Sequence, residues 1–105
     1  MDEQIYAYHA EICKVFSHPK RLELINLLRG KEMSASELGE RLGLTPANLS
    51  QHLNMMRESH ILASRNEDNA AYYRIANSRP LEAFDSLREI LFEQIRQDAA
   101  LIQGR

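Results

Sequence analysis

The stretch Ser34-Ala35-Ser36-Glu37-Leu38-Gly39-Glu40-Arg41-Leu42-Gly43-Leu44-Thr45-Pro46-Ala47-Asn48-Leu49-Ser50-Gln51-His52-Leu53 decides the fold. Ser34, followed three residues later by Glu37, is a capping box: hydroxyl and carboxylate satisfy each other's free backbone amides, so a helix starts at Ala35. Leu38 and Leu42 give it an apolar stripe, and Gly43 breaks it. Thr45-Pro46 then restarts helical geometry, threonine as the cap and proline in the first turn, where its missing N–H costs nothing. Leu49, Leu53 and Met56 repeat at helical spacing over 46–59. Two short helices joined by Gly43-Leu44-Thr45 form a helix-turn-helix pattern across 35–59.

Working outward toward the amino terminus, Ile5, Tyr8, Ile12 and Val15 predict an amphipathic helix over 3–16. Ser17-His18-Pro19 stops it, and Pro19 opens a second helix with Leu22, Ile25 and Leu28 on a wide apolar face ending near Gly30. On the other side, the period changes to two after Ile61-Leu62. Tyr73, Ile75 and Ala71 face one way and Tyr72, Arg74 and Ala76 the other, which predicts a hairpin of 62–66 with 71–76 around the polar turn 66–69. Asn77-Ser78-Arg79-Pro80 caps a last helix over 79–103, with Phe84, Leu87, Leu91, Ile95 and Ile102 on one stripe. The expected architecture is mainly α with a β-hairpin wing, in the order α-α-α-α-β-β-α: one winged helix-turn-helix domain over 1–105, with the wing at 62–76.

Composition narrows the class. A chain of 105 residues that is 44% hydrophobic and 27% charged is long enough for one core and too apolar for wholesale disorder. One cysteine excludes an internal disulfide framework and a Cys-rich zinc module. The opening Met1-Asp2-Glu3-Gln4 is acidic and no run approaches a membrane-spanning length, so a cytoplasmic chain that does not enter a membrane is expected. The net charge of −2 argues mildly against a nucleic-acid partner. It is unevenly placed, however: residues 17–80 hold nine Lys and Arg against seven acids, between two acidic termini.

The fourth helix carries the chemistry. Projected at about 100° per residue, it buries Leu49, Leu53 and Met56 and turns Ala47, Gln51, Asn54 and Glu58 outward, with Ser50 and Arg57 on one flank and Asn48 and His52 on the other. Such a small polar face suits the major groove: Gln51 or Asn54 can pair with an adenine edge, Ser50 with a base or phosphate, and Ala47 with a thymine methyl. Thr45, Asn48 and Arg57 complete the helix's candidate DNA contacts, and the hairpin adds Arg65, Tyr72 and Arg74 for flanking phosphates or the minor groove. With so few cations, the salt dependence of binding should be shallow.

Residues 15–76 resemble the ArsR/SmtB family of bacterial winged-helix repressors. The resemblance is carried by His18-Pro19-Lys20-Arg21-Leu22, by Glu37-Leu38-Gly39-Glu40-Arg41-Leu42-Gly43-Leu44, by Leu49-Ser50-Gln51-His52-Leu53 and by Tyr72-Tyr73-Arg74-Ile75. It implies a homodimer held by the first and last helices, recognition by Ala47, Ser50 and Gln51, and a wing contact at Arg65. The family's metal sites do not carry over: Ser34 and Ser36 stand where metal sensors have two cysteines, and no histidine follows His60 to join Asp85, Glu89 and Glu93. His9 and Cys13, four apart on the first helix, remain as candidates: half of a metal site shared with a second subunit, a redox thiol at Cys13, or simply a small buried hydrophobe at Cys13 with His9 a surface or interface side chain. His18 and His60 sit where capping is expected, and His52 where a structural or phosphate contact is expected.

The expected function is therefore a homodimeric, sequence-specific DNA-binding repressor released from an inverted-repeat operator by a small-molecule, metal or redox effector, with no cofactor. The alternative is a winged-helix module that binds a protein through its terminal helices. Catalysis is not expected, because there is no phosphate-cradling glycine loop and no nucleophile elbow.

Overall fold

The computed structural model describes residues 2–103, with side chains described through Ala100. The elements run α1 (Glu3–Val15), α2 (Pro19–Leu27), β1 (Met33–Ser34), α3 (Ala35–Leu42), α4 (Pro46–Glu58), β2 (Leu62–Glu67), β3 (Ala70–Ile75) and α5 (Arg79–Gln103). No helix among the described residues is long and apolar enough to cross a membrane.

The helix boundaries follow their caps. The Ser34–Glu37 box is present in both directions, and Gly43 closes α3 in the left-handed region at φ 65°. The Thr45 hydroxyl accepts from the Asn48 amide at 3.2 Å to start α4. His18 caps α2, its Nδ1 accepting from the Lys20 amide at 3.1 Å, and the side-chain Oδ1 of Asn77 accepts from the Arg79 amide at 3.1 Å. His60 adopts φ 62° just past α4, where Ile61 donates back to the Met56 carbonyl. That is a left-handed helix stop, so both histidines lie at helix ends as expected.

The core is continuous. Leu24, Ile25 and Leu28 of the second helical segment meet Leu38 and Leu42 of α3, Leu49, Leu53 and Met56 of α4, Leu62 and Tyr73 of the hairpin, and Leu81 of α5. Each of these large side chains contributes about 1.5–3 kcal/mol by leaving water.

The sheet departs from expectation in two ways. It has three antiparallel strands in the order β1-β3-β2, with Met33 opposite Tyr73 and Ser34 opposite Tyr72. Two residues are too few to show a period, so β1 left no signal. The hairpin is also tighter than the expected 62–66 with 71–76: pairing continues to Glu67 opposite Ala70, and only Asp68 and Asn69 turn, at φ 50° and 65°. Two successive left-handed residues match the twist of the flanking strands, so polar residues 66 and 67 remain paired at the wing tip.

The terminal helices keep their stripes largely uncovered. Phe16 and Phe84 stack at 5.1 Å and join α1 to α5. Ile5, Tyr6 and Tyr8 on α1, and Leu87, Ile90, Leu91, Phe92 and Ile95 on α5, are all exposed by half or more. The side chain of Ile102 lies outside the described residues.

Candidate nucleic-acid interface

The fourth helix presents the expected face. Leu49, Leu53 and Met56 are buried, while Ala47, Asn48, Ser50, Gln51, Asn54 and Arg57 are exposed. The Ser50 and Gln51 side chains make no hydrogen bond among the described residues, so their donors and acceptors are available to a partner. Asn54 is partly engaged, accepting from Arg57 Nη2 at 3.3 Å. Thr45 is committed to its cap through one lone pair, which leaves its O–H able to donate.

His52 is different. It is half-buried, its ring packs against His18 with centroids 4.6 Å apart, and its Nδ1 lies 3.1 Å from Arg21 Nη1. Arg21 also donates through Nε to the Val15 carbonyl at 2.9 Å and through Nη2 to the Lys14 carbonyl at 2.7 Å. One guanidinium thus ties the end of α1, the start of α2 and the middle of α4. The role of His52 here is structural, and it fixes how the α4 face sits on the body. Burial lowers its pKa below the ordinary histidine value, with the charges of His18 and Arg21 adding to the effect.

On the wing, the strand register places Arg65 opposite Tyr72 and Arg74 opposite Ala63. Residues 63, 65, 72 and 74 therefore share the outer face, and Leu62, Tyr73 and Ile75 pack inward. Arg65 lies over the Tyr72 ring at 4.8 Å, and Arg74 is exposed. Arg65 is also held by Glu32 and Glu67, which spacing along the chain could not show. A second long-range pair joins Arg29, just past α2, to Asp85 on α5 through two hydrogen bonds of 2.6 and 3.1 Å. Asp85 is thereby a structural anchor.

His9 and Cys13 both lie exposed on α1, beside an apolar groove of about 410 Å³ that Ile12, Phe16, Phe84 and Leu87 complete. Cys13 is therefore not buried within the single chain, contrary to one of its three readings. No group of three or more metal-ligating side chains occurs among the described residues.

A polar recognition helix, a preceding short helix and a two-arginine hairpin in this arrangement define a winged helix-turn-helix regulator. The model for bacterial regulatory proteins of the arsR family matches residues 18–64. The chain is 31% identical over 102 residues to the uncharacterized HTH-type transcriptional regulator Rv0081 of Mycobacterium tuberculosis, covering 96% of this chain and 90% of that one. The crystal structure of Rv0081 superposes with a TM-score of 0.84 over 94% of this chain and 100% of the other. The biofilm growth-associated repressor of Xylella fastidiosa is 33% identical, covering 84% of this chain and 77% of its own length. The transcriptional activator HlyU of Vibrio cholerae is 29% identical over 82% of this chain and 79% of its own. The chain belongs to the arsR family of bacterial regulatory proteins and is a DNA-binding transcriptional regulator.

Proposed function

We propose that the chain is a homodimeric repressor that binds an inverted-repeat operator through Ala47, Ser50, Gln51 and Asn54, with Thr45, Asn48, Arg57, Arg65, Tyr72 and Arg74 on flanking backbone. The observation that carries this reading is the α4 face, which is solvent-exposed and rich in amide and hydroxyl groups. Dimerisation through α1 and α5 is supported by the uncovered apolar stripes on both helices, which water would otherwise solvate. Two α4 helices would then enter successive major grooves, about 34–36 Å apart. An effector releases the operator by favouring a dimer geometry that no longer spans this distance. The similar repressor of Xylella fastidiosa favours repression over activation.

Footprinting of the purified chain on the DNA upstream of its own gene tests the reading. A protected inverted repeat with half-sites about one helical turn apart is expected. Uniform protection, or none at moderate salt, contradicts it.

A further inference from the structure

Arg65 is one of the two wing cations proposed to meet a phosphate, yet its guanidinium is already gripped from two sides. Nε lies 3.0 Å from each carboxylate oxygen of Glu32, Nη2 donates to Oε1 of the same residue at 2.6 Å, and Nη1 donates to Glu67. Glu32 comes from the connection between α2 and β1, 33 positions from Arg65, and is half-buried; Glu67 lies two residues further along β2. Tyr72 backs the guanidinium from the neighbouring strand.

The planar guanidinium fork fits carboxylate and phosphate in the same bidentate way, so the two anions compete for the same donors. Two carboxylates on one guanidinium leave that cluster negative by one charge, and Arg74 on the same face brings it only to neutrality. Glu32 is held below the usual carboxylate range, first by the hydrogen bond from Arg65 and then by the charges of Arg65 and Arg74, so it is ionised throughout the neutral range.

We propose that Glu32 acts as an internal phosphate mimic that lowers the DNA affinity of the wing by occupying Arg65 until a backbone phosphate displaces it. This rests on the assignment of Arg65 as a phosphate contact. Because one anion replaces another, the wing contact gains less than a free arginine would. It also contributes less than the salt-slope increment of about 0.9 expected per neutralised phosphate. The shallow salt dependence that the near-neutral composition implies is then partly built into this ion pair.

The test is anisotropy binding of a fluorescein-labelled mixed-sequence duplex of about 30 base pairs, between about 50 and 200 mM salt, where phosphate contacts dominate. The proteins are wild type, Glu32→Gln, Glu67→Gln, Arg65→Ala and the Glu32→Gln/Arg65→Ala double variant, each checked for folding by circular dichroism. Glu32→Gln is expected to tighten binding about 3–10-fold at the lowest salt and to steepen the slope by up to about 1. Glu67→Gln, which leaves the two-oxygen grip intact, tightens less. Arg65→Ala weakens binding, and adding Glu32→Gln to it changes nothing further. Unchanged or weaker binding by Glu32→Gln, with Arg65→Ala still weakened, overturns the proposal and leaves the Arg65 contact standing. Equal tightening with and without Arg65 also overturns it, because the effect is then general charge. Wild-type binding by Arg65→Ala removes the phosphate contact and the proposal together.

Discussion

Arg21 and His52, 31 positions apart, meet at 3.1 Å, and the contact fixes the protonation of the histidine. A guanidinium has no lone pair to offer, so His52 Nδ1 must be the acceptor and the ring must be neutral with its proton on Nε2. The recognition helix is therefore fastened to the α1–α2 junction by a bond that a proton can break.

The pH dependence follows with a definite sign. Burial lowers the folded-state pKa of His52 below its unfolded value of about 6.5, so the native chain binds fewer protons than the unfolded chain as pH falls through that range. The stabilisation is complete above about pH 6.5 and is lost as pH drops toward the folded pKa. Urea midpoints should fall between about pH 7.5 and pH 5.5, and less so in His52→Asn. An equal fall in both proteins would assign the loss to another group. The Glu32 carboxylate, whose pKa is also lowered, loses its contribution only in the more acidic carboxylate range.

The helix-turn-helix corner is sensitive to two small changes. Gly43→Ala places a Cβ in the left-handed region at φ 65° and should cost about 1 kcal/mol. Thr45→Ala removes the cap that accepts from the Asn48 amide and should also cost about 1 kcal/mol. Denaturant titrations with an unchanged slope measure both. A Gly43→Ala protein as stable as wild type would show that the corner relaxes.

These corner residues were also the legible ones. Ser34, Glu37, Gly43, Thr45 and Pro46 act through neighbours within a few positions, so local chemistry places them, and the leucine spacing of α4 fixes which side faces out. The α4 faces, the inward and outward residues of the wing and the stripes on the terminal helices were all open to this kind of reading. Strand β1 was not, because its two residues are defined only by pairing with Tyr72 and Tyr73. The side-chain ties of Arg21 to His52, Arg29 to Asp85 and Arg65 to Glu32 join residues 31 to 56 positions apart, and no periodicity encodes such meetings. Arg65 was visible as a wing cation, and the carboxylates that hold it were not.

The Arg29–Asp85 pair anchors the last helix to the body. Its two-bond geometry and partial exposure suggest a coupling of about 0.5–1 kcal/mol in a double-mutant cycle of Arg29→Ala and Asp85→Ala followed by urea unfolding. A coupling indistinguishable from zero would mean that α5 is held by apolar packing alone, through Leu81 and the Phe16–Phe84 stack.

The exposed stripe on α5 predicts the behaviour of the dimer. Leu91, 55% exposed, lies in that stripe, and Leu91→Glu should convert the protein to a monomer in sedimentation while leaving its circular dichroism unchanged. Cys13, open on the single chain beside Phe84 and Leu87, should then react with a thiol reagent faster in Leu91→Glu than in wild type. A variant that remains dimeric would place the interface elsewhere.

The most direct measurement is the specificity ratio of Gln51→Ala. Binding to the footprinted operator duplex and to a mixed-sequence duplex of equal length, at one salt concentration, separates base reading from phosphate attraction. If the α4 face reads bases, Gln51→Ala loses about 1–3 kcal/mol on the operator, roughly 5- to 150-fold, and leaves the mixed-sequence affinity within about twofold. Loss of both affinities in equal proportion, or of neither, would contradict the assignment of that face to sequence recognition.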